Sequence, residues 1–197
     1  MGKSKNSSAA TKKVAEKWAL EVPEMATTAQ IWPMPTMKPK HLLKLHEQGY
    51  LPEQKLGEWK APGEHRIPNL ETGEIVLFVP FIQHGLGLPA CPFLQVFLHY
   101  YGITLNHLNP NSILHLLTFV HLCETFLGIP PSITLFCYFF KLKPHPDATS
   151  PSVLGGAGIQ FHVGRKNEYI HYTLVDSVKN WRAKWFYAGN LWPPRSA

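Results

Sequence analysis

The chain has 197 residues, of which 45% are apolar and 16% are charged. This length and composition suffice to bury a core, and they exclude both a disordered chain and a domain that depends on disulfides. The formal net charge of +6 is compatible with acidic partners such as nucleic acid. The 18 prolines favour short elements joined by stiff turns.

Residues 1–38 are expected to form a flexible, basic and proline-rich tail, with a short helix over Lys12–Leu20. Lysines outnumber carboxylates in its first half, which is compatible with a contact to nucleic acid or an acidic membrane. A solubilising role is favoured, because the segment lacks a dense block of Lys and Arg. No apolar signal segment is present, and Asn6 stands where a myristoylation site requires Ser or Thr. We therefore expect an intracellular protein, in the nucleus or the cytoplasm with the nucleus favoured, that is neither secreted nor transmembrane.

The next segments predict a helix followed by a long ordered loop. Lys40–Gln48 has amphipathic spacing and ends at Gly49. The leucines expected on its inward face are Leu42, Leu43 and Leu45. Residues 51–73 are rich in Pro, Gly and Glu, and Trp59 and Ile67 are the expected anchors of this loop to the core.

Glu74–Val79 is β-branched and apolar, which predicts a strand buried on both faces. One helical turn is expected within Phe81–Gly87. Ala90–Tyr101 predicts an amphipathic helix that ends at Gly102. Its apolar face is expected to hold Phe93, Leu94, Phe97, Leu98 and Tyr101.

The richest apolar stretch is Leu88–Leu142, and a central helix lies within it. Asn109 is a good N-cap. Pro110 suits the first helical position, because the backbone N–H that proline lacks would have no partner within the helix there. The run to Leu127 is apolar over most of its circumference, which predicts a helix enclosed on several sides. Its narrow polar strip comprises Asn111, His115, Thr118, His121 and Thr125, with Glu124 to one side.

Ser132 is expected to cap a third apolar helix, Ile133–Leu142, after a proline corner. A mobile loop over residues 144–158 should follow, with its glycines as a flexible entry into a hairpin. The two alternating strands of that hairpin are predicted at Ile159–Val163 and Tyr169–Leu174. An aromatic cluster is expected to close the core with Trp181, Trp185, Phe186 and Tyr187.

These elements predict a fold of the α+β class that is mainly α. Central buried helices should pack with a small sheet built from Glu74–Val79 and the C-terminal hairpin. We expect a single globular domain over residues 39–192 and a disordered end over residues 193–197.

The sequence offers no catalytic or metal-binding constellation, so we expect neither an enzyme nor a cofactor. His115, His121, Cys123 and Glu124 share a helix, but their spacings place them on different faces, whereas a metal pair needs positions i and i+4. Cys91, Cys123 and Cys137 lie in apolar surroundings, which disfavours thiolates. Asp147 and Asp176 are the only aspartates, too few for an acidic metal triad.

One patch is compatible with nucleic-acid binding, because its basic residues could neutralise phosphates while an aromatic ring stacks on bases. The candidate residues are Arg165, Lys166, Lys179, Arg182, Lys184 and Trp181. The alternative, which we favour, is that the aromatic residues are buried and the charges are only solvated.

Four segments carry a resemblance to a known family: Leu51–Asn69, Gly73–Pro89, Leu108–Pro131 and Asn180–Asn190. In order and spacing they resemble the plant domain described as a "putative gypsy-type transposon", also labelled a transposase, over about Lys40 to Asn190. The residues most specific to the resemblance are Asn109, Pro110, Cys123, Glu124, Gly128, Pro130, Trp185, Phe186 and Tyr187.

The resemblance implies a protein encoded by, or derived from, a plant retroelement, and it implies no mechanism. Relatives often continue into long charged regions, so this chain looks like the isolated domain or a fragment of a larger reading frame. We expect a non-enzymatic module that binds a protein partner or itself, with no small-molecule substrate. The alternatives are a nucleic-acid-binding domain and, less favoured, a transposase or nuclease that uses Asp176.

Overall fold

The computed structural model describes residues 32–54, 58–144, 154–172, 174 and 178–189. The helix expected over Lys12–Leu20 and the end at residues 193–197 lie outside this part of the chain. The elements in chain order are α1 (Pro39–Glu47), β1 (Glu74–Phe78), α2 (Val79–Gln83), α3 (Pro92–Tyr101), α4 (Pro110–His121), a π-helix (Leu122–Leu127), α5 (Ile133–Phe139), β2 (Phe140–Pro144), β3 (Ala157–Phe161) and β4 (Trp185–Gly189). The predicted class, α+β and mainly α, is confirmed.

Helix α1 begins at Pro39 and buries Leu42 and Leu45 as predicted, whereas Leu43 is exposed. The packed chain starts before residue 39, because Trp32 and Met37 are buried. Trp32 stacks on Phe78 with ring centroids 5.6 Å apart. The predicted boundary of the tail at residue 38 is therefore too far along the chain, since Trp32 and Met37 belong to the core.

The loop between α1 and β1 is anchored at Trp59, which is buried and donates its indole N–H to the carbonyl of Pro52. Ile67, the other predicted anchor, is exposed, so that prediction was wrong. The loop instead attaches to the sheet through Lys60, whose backbone pairs with Tyr187 in both directions.

The sheet differs from the predicted one. Strand β1 pairs antiparallel with β4, from Glu74 opposite Gly189 to Phe78 opposite Trp185. Strands β2 and β3 form a second, separate antiparallel sheet, with Phe140 opposite Phe161 and Pro144 opposite Ala157. The described residues thus form two antiparallel pairs and no single sheet. Strands β1 and β4 lie far apart in the sequence, whereas β2 and β3 follow each other along the chain.

Two predicted elements near the second sheet were wrong. The helix that Ser132 caps ends at Phe139, and the residues from Phe140 onward are strand, because their backbone bonds to β3. The predicted hairpin is absent from the described residues: a 3₁₀ turn over Arg165–Glu168 follows β3, and residues 169–172 are irregular. The glycine at position 164 does reverse the chain, with φ of 83°.

Aromatic rings from every layer fill one continuous core. Phe136 of α5 contacts rings of three other elements, Phe97 at 5.3 Å, Phe119 at 5.2 Å and Phe140 at 4.9 Å between centroids. At the first sheet, Trp181 packs edge-on against Phe78 at 4.9 Å. The predicted closing cluster of Trp181, Trp185, Phe186 and Tyr187 is buried.

The glycines before β3 were predicted to be flexible, but Gly155 is buried in close contact with Trp181. Its N–H donates to the carbonyl of Asn106 at 2.9 Å. A Cβ at this position would lie only 2.4 Å from Cζ2 of Trp181, and φ is +67°. Glycine is therefore required here by both space and backbone conformation.

We expect Gly155→Ala to lower the free energy of unfolding by about 2–4 kcal/mol, because it adds a steric clash to the strain of a left-handed backbone. Gly164→Ala is the matched control: its φ is also positive, at 83°, but its Cβ would meet nothing within 4 Å. The control should lose only about 1 kcal/mol. Urea denaturation of both variants measures the difference, and equal losses would contradict the contact between Gly155 and Trp181.

Candidate interaction surfaces

The central helix begins at a hydrogen-bonded cap that also fixes β3. Asn109 accepts through Oδ1 from the N–H of Ser112 at 2.9 Å, as the sequence predicted for an N-cap. The buried hydroxyl of Ser112 donates to the same oxygen and accepts from the N–H of Ile159 at 2.9 Å. Pro110 lies at the first helical position and is buried. The cap thus ties the helix start to the second sheet.

The other end of the helix widens into the π-helix Leu122–Leu127 and stops at Gly128, whose φ is +64°. The carbonyl of Cys123 accepts from the N–H of Ile129 at 2.9 Å, a bond typical of a glycine-terminated helix. Cys123 is completely buried, whereas Glu124 and Pro130 are exposed. The family-specific residues of this turn therefore divide between the core and the surface.

Large apolar side chains protrude at this helix end, which we call the exit segment (residues 126–129). Phe126 is 71% exposed, Leu127 54% and Ile129 40%. The sequence predicted an enclosed helix, and for its last turn that prediction was wrong. The widened π-helix carries this turn beyond the packed core, and π-helical turns often occur at functional sites.

His115 lies in the core, 3% exposed, and its Nδ1 forms a hydrogen bond with the hydroxyl of Tyr172. The rings of Phe140 and Phe161 pack against it at 5.3 and 5.5 Å. Burial lowers the pKa of the imidazole from 6.5 to about 4, so the folded protein keeps the ring neutral. His115 is therefore a hydrogen-bonded residue of the core.

We expect the free energy of unfolding to fall by about 3 kcal/mol between pH 7 and pH 4 because of His115 alone. The folded-state pKa is depressed, so the unfolded chain binds a proton below pH 6.5 that the folded chain binds only near pH 4. The stability is therefore complete above pH 6.5 and is lost as the pH falls through this window. In His115→Gln this part of the fall should vanish, and urea denaturation across the window measures it. Equal falls in both proteins would show that His115 is not buried neutral.

The basic residues proposed for nucleic-acid binding lie in two different settings. Arg165 donates through Nη1 to both carboxylate oxygens of Glu168, at 2.7 and 2.6 Å, and its guanidinium stacks on the ring of Tyr138. The hydrogen bond from Arg165 lowers the pKa of the Glu168 carboxyl. Lys166 beside it is exposed.

The remaining members lie at the end of the chain, next to β4. Trp181 is 7% exposed and packs on Phe78, so its ring is part of the core. Arg182 donates its Nε to the carbonyl of Leu154 at 2.9 Å and covers the Trp181 ring. Lys179 and Lys184 are exposed. Whether these cations bind nucleic acid stays a prediction, and stacking of a base on Trp181 would require this ring to leave the core.

The three cysteines are free thiols, and burial raises the pKa of each. A raised pKa disfavours the nucleophilic thiolate at neutral pH. Over the described ranges, no group of three His, Cys, Asp or Glu side chains could hold a metal ion. Asp147 and Asp176, considered for a nuclease, lie outside those ranges. None of the helices described is long and apolar enough to cross a bilayer.

Residues 75–144 match the family model described as "Putative gypsy type transposon". The resemblance found from the sequence is thereby confirmed for a gypsy-type transposon-related domain over these residues. The flanks from Lys40 and to Asn190, which include Trp185, Phe186 and Tyr187, lie outside the match, and plant origin stays a prediction. No curated protein and no solved structure matches the chain.

Proposed function

We propose that this transposon-related domain is a non-enzymatic interaction module that associates with a second copy of itself through the exit segment. The exposure of Phe126, Leu127 and Ile129 at one helix end is the observation that carries the proposal. Contiguous apolar residues that remain in water are typical of protein interaction sites.

The size of the exposed side chains fits the anchor of an interface. A phenylalanine buries about 150–250 Å², so the exposed part of Phe126 represents roughly 100–180 Å², or about 3 kcal/mol if it is fully buried. A standard interface buries about 800 Å² per partner, so three side chains cannot form it alone. They would act as its centre, surrounded by polar residues such as the exposed Glu124 and Thr125.

A second copy of the chain is the partner that this patch fits most simply. A two-fold interface requires only that one patch complements itself, and apolar side chains present no fixed charge pattern that must be matched. The structure of the turn supports a preformed contact, because the Cys123 carbonyl and Gly128 fix the backbone below the exposed side chains.

We expect the intact chain to show a sedimentation coefficient that rises with protein concentration. Phe126→Asp should weaken this self-association at least about tenfold, which corresponds to about 1.4 kcal/mol and is less than the burial energy of the ring. Leu43→Asp is the matched control, since Leu43 is also a large exposed apolar residue, at 51%, and lies on a different element, helix α1. Sedimentation velocity on the three proteins measures the effect.

A strict monomer at the highest attainable concentration would overturn self-association. An equal loss in Phe126→Asp and Leu43→Asp would remove the exit segment as its site. Binding of a different protein with the natural chain remaining monomeric would also contradict the proposal.

A further inference from the structure

The outward face of the second sheet carries a row of basic side chains. In β2, Phe140 and Leu142 point into the core, so Lys141 and Lys143 share the opposite face. Lys141 lies opposite Gln160 of β3, which is exposed. Alternate residues of a strand are about 6.6 Å apart, so the two lysines form a short row of charge.

Residues that follow β3 extend this row. The imidazole of His162 lies close enough to Lys141 and Arg165 for both cations to lower its pKa, after burial as the larger cause. The N–H of His162 donates to the carbonyl of Phe139 at 2.8 Å, which continues the pairing of β2 with β3. The N–H of Arg165 donates to the carbonyl of His162 at 3.1 Å, so Arg165 is bonded to the residue that continues this pairing.

Carboxylates are scarce around this surface. Between Ser132 and Lys143, and again between Leu154 and Tyr172, the sequence contains only Glu168, whose carboxylate bonds to Arg165. In the described part of the chain, neither Lys141 nor Lys143 takes part in an ion pair. Their positive charge is therefore available to an external anion.

We propose that this basic sheet face, formed by Lys141, Lys143, Gln160 and His162 with Arg165 and Lys166 at its edge, binds the phosphate backbone of a nucleic acid. The cations would neutralise successive phosphates and release their counterions. Self-association through the exit segment uses different residues, so this inference is independent of it.

A nucleic acid fits the face better than a lipid surface does. Membrane-binding surfaces combine cations with a large apolar area for insertion, whereas the exposed apolar groups described next to Arg165 are the small side chain of Val163, 95% exposed, and the ring of Tyr138. The ring of Tyr138, 46% exposed and stacked on the Arg165 guanidinium, offers a planar group of the kind that contacts bases in single strands. The lysine row of β2 and the ring of Tyr138 together fit a single-stranded nucleic acid, which has a linear row of phosphates and planar bases.

The test measures binding of the full chain to fluorescent single-stranded RNA and DNA of about 20 nucleotides in a salt series. With about four cations engaged, the logarithm of affinity should fall against the logarithm of salt with a slope near −3. Changing Lys141→Glu together with Lys143→Glu should weaken binding at least about tenfold and reduce the slope by about 1.4.

The matched control is Lys40→Glu together with Lys44→Glu, which makes the same change in net charge at exposed lysines of α1. It should retain affinity within about threefold. If the charge reversal unfolds the sheet, Lys141→Gln together with Lys143→Gln replaces it as the test. This neutral variant should lose about half as much binding energy. Circular dichroism identifies such unfolding.

Three outcomes would overturn the proposal. The first is no salt-dependent binding of either oligonucleotide. The second is an equal or larger loss in the control variant, which would indicate that binding depends on net charge alone. The third is binding only to vesicles made of equal parts phosphatidylserine and phosphatidylcholine, which would assign the face to a membrane.

Discussion

Two antiparallel strand pairs close the core, and the remaining packing depends on them. Strand β1 pairs with β4 and β2 pairs with β3, so each pair joins a strand of the family-matched segment to a strand that lies after it. Residues 75–144 contribute nearly all of β1 and the whole of β2. Without their partners, both strands would expose unpaired backbone groups and one apolar face to water, which is unfavourable. The segment that matches the family model is thus one part of a larger cooperative unit.

The aromatic core connects these strand pairs to the helices. Phe136 contacts rings on α3, α4 and β2, while Trp181 packs against Phe78 of the first sheet. The cap of the central helix adds a polar link, because the Ser112 hydroxyl bonds to both Asn109 and the backbone of Ile159. A buried hydroxyl with both partners in place fixes the register between helix and sheet, since losing either partner leaves an unsatisfied polar group. The exit segment follows the other end of this helix, where backbone bonds to the Cys123 carbonyl hold the turn.

Local signals were sufficient to predict the elements whose causes are local. The caps at Asn109 and Ser132 and the stops at Gly102 and Gly128 all lie where short-range chemistry places them. Phe140–Leu142 was predicted to be helical because a short apolar run does not distinguish helix from strand, and its pairing with β3 is not visible in the run itself. The two proposed binding surfaces could not be predicted from local sequence either. The exposure of Phe126 depends on where the core ends, and the row formed by Lys141 and Lys143 exists only once that segment is a strand. Arg165 and Lys166 were identified from sequence because their basic cluster is contiguous, whereas the burial of Trp181 is a tertiary effect.

The most direct test of this account is to compare the isolated segment 75–144 with the full chain by thermal unfolding and by amide NMR spectra. The account predicts that the full chain unfolds in a cooperative transition with dispersed amide signals. The isolated segment should show no cooperative transition and a collapsed spectrum, because β1 and β2 lack β4 and β3. A segment that unfolds cooperatively on its own, with amide shifts matching those of the full chain, would contradict the claim that the strand pairs hold the fold together.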